Sequence, residues 1–141
     1  MTDDQPVLSI LIKSGTYNDF MTLSLIASGA IAADYEVRIF AMDDAVYALR
    51  KENVGTDTVV HSKFEGFVSN MSESIKNGKV NAWWTLLEEL KEIGELKITA
   101  CALISEVTNT HKDDFHELVD EIAGVANFAF DLSESDHVVS I

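Results

Sequence analysis

Four short, almost unbroken apolar runs constrain this chain more than any other feature: residues 7–13 (VLSILIK), 36–42 (EVRIFAM), 96–101 (LKITAC) and 137–141 (HVVSI). A strand with one wet face alternates apolar and polar side chains, whereas one covered on both faces reads as a continuous run. Helix-length segments separate them. Residues 16–33 open with Thr16 or Asn18 as a cap and carry Ala27, Ser28, Gly29 and Ala30 where close packing needs small groups. Residues 81–91 repeat Trp83, Leu86, Leu87 and Leu90 at helical spacing, with Asn81 as cap and Gly94 as a left-handed stop. Shorter helices are expected over 43–51, 112–120 and 126–132, and a short strand over 121–125. Residues 52–80, rich in Gly, Ser, Asn and Thr, are expected to form a mobile loop or lid, with one irregular helix around Phe64, Phe67, Val68 and Met71. Strand, helix, strand closes as a right-handed crossover, so the pattern predicts a three-layer α/β protein around a parallel sheet.

A length of 141 residues fits one domain, 1–141, and 47% hydrophobic residues supply a core for it. The formal charge of -14 excludes nucleic acid and anionic membrane surfaces as natural partners, because both would repel it. The imbalance is concentrated: residues 102–141 hold nine acids against one lysine, Lys112, and so supply eight of the fourteen excess charges. The N-terminal MTDDQPV is unlike a signal peptide, and residues 20–33 are too short and too interrupted for a bilayer span, so a cytoplasmic location is expected. The single cysteine, Cys101, closes no intrachain disulfide, and the four histidines are too scattered for a metal site.

Ligands of open parallel sheets bind beyond the carboxyl ends of the strands, which selects two places. Lys13-Ser14-Gly15-Thr16, with Asn18, is a glycine turn feeding a helix N-terminus whose amides could hold an anion; its bland reading is a tight turn with a capping hydroxyl. Cys101 ends the third run. It is either a small buried hydrophobe or, facing the crevice with its pKa lowered by helix amides or Lys13, a nucleophile.

In this order, the first strand running into Ser14-Gly15-Thr16, the stretch 27–33 followed by Tyr35-Glu36-Val37, residues 91–98 leading to Ala100-Cys101, and Gly124-Val125-Ala126 with Phe128 resemble the DsrE/DsrF-like family, in its single-domain, peroxiredoxin-labelled branch. The resemblance spans nearly the whole chain. It implies a flavodoxin-like, mostly parallel sheet of about five strands with helices on both faces, no cofactor, and a cysteine, here Cys101, that accepts sulfane sulfur as a persulfide and passes it to a small TusA-like carrier. Lys13, Ser14, Gly15 and Thr16 would then bind a small sulfur-containing anion. The chain departs from the family in lacking additional cysteines and in AMDDAV at 41–46, where an aromatic, strongly apolar stretch is usual. With one thiol the second must come from another molecule, which favours relay between proteins over an internal dithiol reaction. Two rivals keep the fold: a flavin- or nucleotide-binding module, and an oligomeric scaffold with an inert cysteine. The apolar stretch 20–33 and the Trp83-Trp84 pair exceed what a small monomer must bury, so a homo-oligomer is expected.

Overall fold

The four runs become β1 (Val7–Ile12), β2 (Glu36–Ala41), β3 (Leu96–Cys101) and β5 (His137–Ser140), joined by a three-residue β4 (Glu121–Ala123). The computed structural model describes residues 4–141, so the first three residues of the acidic N-terminus lie outside the described residues. All pairings are parallel and the order across the sheet is β4-β3-β2-β1-β5. The first four strands therefore succeed one another in one direction, and the fifth returns to the free edge of β1. Right-handed crossovers put the helices of the outward series on one face and the helix of the return on the other. The result is the three-layer, flavodoxin-like α/β arrangement expected.

The first face is covered by α1 (Tyr17–Ala32) and α4 (Trp83–Ile93). Thr16 caps α1, its hydroxyl accepting from the Asp19 amide at 3.3 Å, and the helix buries Phe20, Leu23 and Ala27. Phe20 meets Trp83 with ring centroids 4.3 Å apart, and Leu87 and Leu90 complete the contact between the two helices and the sheet. Both tryptophans thus belong to the monomer: Trp83 is 4% exposed and Trp84 packs edge-on to Tyr17. Within 20–33, Phe20, Met21, Leu23, Ser24 and Ala27 are buried in the monomer's own core, while Thr22, Leu25, Gly29, Ala32 and Ala33 are exposed. Other exposed large hydrophobics include Phe64, Phe67, Val107 and Phe130.

The second face carries only α6 (Val125–Glu134), none of whose residues is fully buried. Two contacts with β2 hold it, beside a hydroxyl pair of Ser9 with Ser135 at its end, 2.6 Å apart. Phe128 stacks on Phe40 of β2 at 4.8 Å, and Arg38, two residues earlier on the same face, donates to Asp131 at 3.1 Å and Glu134 at 2.9 Å while also pairing with Glu36 at 3.1 Å. Burial pulls the Arg38 pKa down, but the bonds and charges of Glu134, Glu36 and Asp131 outweigh it and leave the guanidinium above its usual value.

Four local expectations are corrected. Residues 52–80 are not one loop: α3 (Glu65–Lys76) is regular, its apolar side chains recurring at 64, 67, 68, 71 and 75, although it buries none of them fully. Asn81 does not cap α4; Ala82 holds that position. Gly94 is extended, φ -152°, and its missing side chain serves a close approach instead, since a Cβ there would lie 2.6 Å from Ile31. Residues 112–120 make one 3-10 turn (Lys112–Asp114), because His111 and Asp114 cap each other reciprocally and close it. The helix of this region lies earlier, as α5 (Ala102–Val107), where the sequence suggested only a segment turning away.

Arg38→Met should leave three carboxylates facing one another without their cation and cost about 1–3 kcal/mol, less than a fully buried pair would. Amide exchange should speed up more in α6 than in α1; equal acceleration in both would contradict the assignment of α6 to this tie.

Candidate functional site

The carboxyl ends of β1, β2 and β3 form one rim. At the end of β1 the chain turns through Lys13, which is exposed, then Ser14 and Gly15, into α1. The turn is tight because another element presses on it: α2 (Asp44–Ala48) follows β2, and a Cβ on Gly15 would lie 2.7 Å from the Asp44 carbonyl oxygen and 3.0 Å from Ala48 Cβ. Asp43, ahead of α2, holds φ 52°, a conformation glycine adopts more readily, and makes no capping bond. That backbone delivers the Asp44 carboxylate to the Gly15 amide at 2.7 Å. Next to it, Ser14 Oγ donates to Thr16 Oγ1 at 3.2 Å, and Thr16 Oγ1 donates to Asp19 at 3.1 Å.

These bonds bear on the anion-binding expectation for Lys13, Ser14, Gly15 and Thr16. A phosphate- or thiosulfate-binding turn needs free amides and hydroxyls. Here the Gly15 amide and the Thr16 hydroxyl are already given to the chain's own carboxylates, which would repel an arriving anion. The same bonds leave the flavin rival without a phosphate loop.

Cys101 sits at the end of β3 and is 1% exposed, the buried one of the two readings the sequence left open, and the thiol does not lie open at the rim. The side chains of a strand alternate between faces, and the registers pair Thr99 with Phe40 and Cys101 with Ala123. Thr99 and Cys101 therefore share the face of Phe40, Arg38 and α6, opposite α1. The carbonyl of Cys101 accepts from Ser105 Oγ at 2.7 Å as α5 begins. Lys13 follows β1, two strands away or about 10 Å by sheet spacing, and does not pair with the thiol. The rim brings Ser14, Gly15 and Thr16 together but leaves Cys101 apart from them, across the sheet.

Beside the Gly15 turn, on the α1 side, lies a cavity of about 250 Å³ that includes Tyr17, Asp44, Asn53, Asp57 and Trp83 in its wall. Tyr17 is 2% exposed, and among the described residues its hydroxyl has no hydrogen-bond partner; burial pushes its pKa up, so it stays a neutral phenol. Sequence reasoning placed none of these residues at a site: Trp83 was read as a helix position and Asp44 only as part of the departure at 41–46. Asn53 and Asp57 come from a stretch without periodicity, and only the fold carries that stretch to the rim. It is anchored there by Asn18, whose side chain exchanges two hydrogen bonds with the His61 backbone, at 3.0 and 2.9 Å. His111 caps the 3-10 turn and His116 Nδ1 accepts from the Leu118 amide at 3.0 Å. Among the described residues no cluster of histidine, cysteine and carboxylate side chains suits a metal ion, and no helix is long and apolar enough to cross a membrane.

Fold and rim together define a parallel-sheet α/β protein of the flavodoxin-like type. Two solved structures share the fold: the protein of unknown function MTH1491 from Methanobacterium thermoautotrophicum, at TM-score 0.61 and 15% identity over 96% of this chain and 99% of that one, and the YchN protein of E. coli, at 0.60 and 15% over 97% and 99%. No family model matches the chain. The uncharacterized protein YrkE of Bacillus subtilis (strain 168) is 31% identical over 95% of this chain and 96% of its own length, and the chain belongs to the same family as YrkE.

Gly15→Ala should lose about 1–3 kcal/mol, because the backbone of α2 must retreat from the new Cβ. Gly29→Ala, in the helix interior with nothing within 4 Å, should gain about 0.5–1 kcal/mol. Denaturant midpoints for the two variants measure the contrast, and a neutral Gly15→Ala would mean the turn is not held against α2.

Proposed function

We propose that the chain is a single-cysteine sulfur carrier of the DsrE kind, in which Cys101 holds one sulfane sulfur and delivers it to a second protein. The observation that carries this reading is the position of the chain's sole cysteine at the carboxyl end of β3, the edge where open parallel sheets do their chemistry. The DsrE/YchN-like fold and the resemblance in the sequence support it. The Cys101 thiolate attacks the outer sulfur of a polysulfide or thiosulfonate; the donor's S–S bond breaks, its remainder leaves as an anion, and Cys101 becomes a persulfide. A thiolate of the acceptor, a TusA-like carrier, then attacks the terminal sulfur and Cys101 departs as thiolate. Electrons balance without an outside oxidant.

Burial adds a requirement. A thiol that is 1% exposed reacts only when its cover opens, and the elements beside it are lightly held: α5 is one and a half turns long with Ser105 as its only buried residue, and α6 has none. A homo-oligomer built through the sparsely covered second face would control that opening. The rival reading, an inert cysteine in a scaffold, rests on the same burial.

Native protein incubated with polysulfide should gain the mass of one sulfur atom, reversed by dithiothreitol and absent in Cys101→Ser. Alkylation of the native thiol should be slower than in denaturant by about two to three orders of magnitude, a local opening of about 3–4 kcal/mol. Protection equal to the full unfolding free energy, with no adduct on native protein, would establish the scaffold reading instead.

A further inference from the structure

We propose that the recess beside α3 is a binding site for a small amphiphile, an aliphatic chain carrying one carboxylate. Two independent observations carry it. The first is the recess itself, about 610 Å³, walled by α3, by residues 58–60 and by the start of α4. Its volume falls within the range typical of small-molecule sites. The wall is apolar at Val59, Val68, Ile75 and Trp84, and each of these side chains keeps part of its surface open to solvent. α3 is amphipathic, yet none of its residues is fully buried. Met71 and Ile75 pack against the core while Val68 and Ile75 line the recess, so the apolar stripe faces the domain across it. An aliphatic chain lying there would touch apolar side chains of both α3 and α4.

The second is the charge of that wall. The chain carries 24 acids against ten lysines and arginines, yet among the described residues no acid lines the recess, and the one charged residue that does is Lys76, in the last turn of α3. Lys76 forms no ion pair among the described residues, whereas Arg38, Arg50, Lys91 and Lys97 are each held by carboxylates. An exposed ammonium at the edge of an apolar recess keeps its charge in water, where it meets the head of a ligand whose chain lies inside. The surrounding stretch is also locally cationic: residues 61–80 hold Lys63, Lys76 and Lys79 against Glu65 and Glu73, three minus two, in a chain of net charge -14. The field of the whole molecule disfavours anions, so burial of the chain supplies the affinity and Lys76 the choice of head. A second copy of the protein, the other natural occupant of an apolar recess, would bring its own charge of -14 against that field.

The site is separate from the sulfur chemistry, since neither Cys101 nor the Gly15 turn lines it. A series of one chain length and three heads tests it on the full chain: octanoate, octanol and octylamine, each below its solubility limit. Binding is followed by tryptophan fluorescence, with Trp84→Phe to separate Trp84 from Trp83, and by amide exchange in α3. Octanoate should bind with a Kd of about 1 mM or tighter, octanol about threefold and octylamine at least about tenfold more weakly. Hexanoate should bind about tenfold more weakly than octanoate, the effect of two fewer buried methylenes. Lys76→Glu should weaken octanoate about tenfold and change octanol by less than about twofold, while Ser72→Trp, filling the recess from an exposed position in its wall, should weaken both alike. Bound octanoate should slow amide exchange in α3 and leave α1 unchanged. Preference for octylamine, saturation by none of the three, equal affinity for hexanoate and octanoate, or octanoate binding untouched by Lys76→Glu would each overturn the proposal. So would protection of α3 that rises with protein concentration and not with octanoate, which would give the recess to a second copy.

Discussion

A parallel sheet must be covered on both faces, and here the two covers are unequal. Leu8, Ile10, Ile12, Val37, Ile39 and Ile98 pack under α1 and α4 into a continuous apolar layer. On the other side a single helix with no fully buried residue is tied down by one aromatic stack and one arginine. Strand order explains the imbalance: the chain crosses the first face on its outward series and visits the second only on its return from β4 to β5. Fold stability rests on the first layer. Access to the second face depends on how firmly Arg38 and Phe128 hold α6.

The same asymmetry explains what could be read from the sequence. β1, β2 and β3 were legible because strands covered on both sides have few polar residues to interrupt the run, and α1 was legible because Thr16 caps it and Ala27 lets it approach the sheet. Residues 112–120 misled because Asp113, Asp114 and Glu117 suit a helix by composition, while His111 and Asp114 spend their polar groups on a local turn that ends it. Gly94 misled in another way. A glycine after a helix usually marks a left-handed residue, but this one is extended and exists to admit Ile31.

Legibility was poorest at the rim. The turn Ser14-Gly15-Thr16 was found from its glycine and hydroxyls, but its preference for anions was inferred without knowing what β2 would bring alongside. Asp44, 29 residues further on, occupies the Gly15 amide and places a carboxylate beside the turn. A motif of amides and hydroxyls thus states only that hydrogen bonds are offered; which charge they attract is decided by neighbours that no local pattern contains. The departure at 41–46, where two aspartates stand in a stretch usually apolar, was the one sequence signal pointing this way.

Thiol and cavity share an edge of the sheet yet lie on opposite sides of it, separated by β2 and by the thickness of the sheet. Face-to-face layers pack about 10 Å apart, so no molecule that fits a space of about 250 Å³ also touches Cys101. Cys101 faces the α6 side, where the surface carries Lys97 and Glu121 in an ion pair at 2.8 Å and the exposed Phe130 and Val138. That side is also the thinly covered one. The cavity wall is joined to the thiol through the strands: Asp44 follows β2 after Met42 and Asp43, and Ala41 of β2 is registered with Ala100, the residue before the cysteine. Any influence of one site on the other must pass along that register as a shift of β2 against β3, a movement the apolar layer beneath α1 and α4 resists.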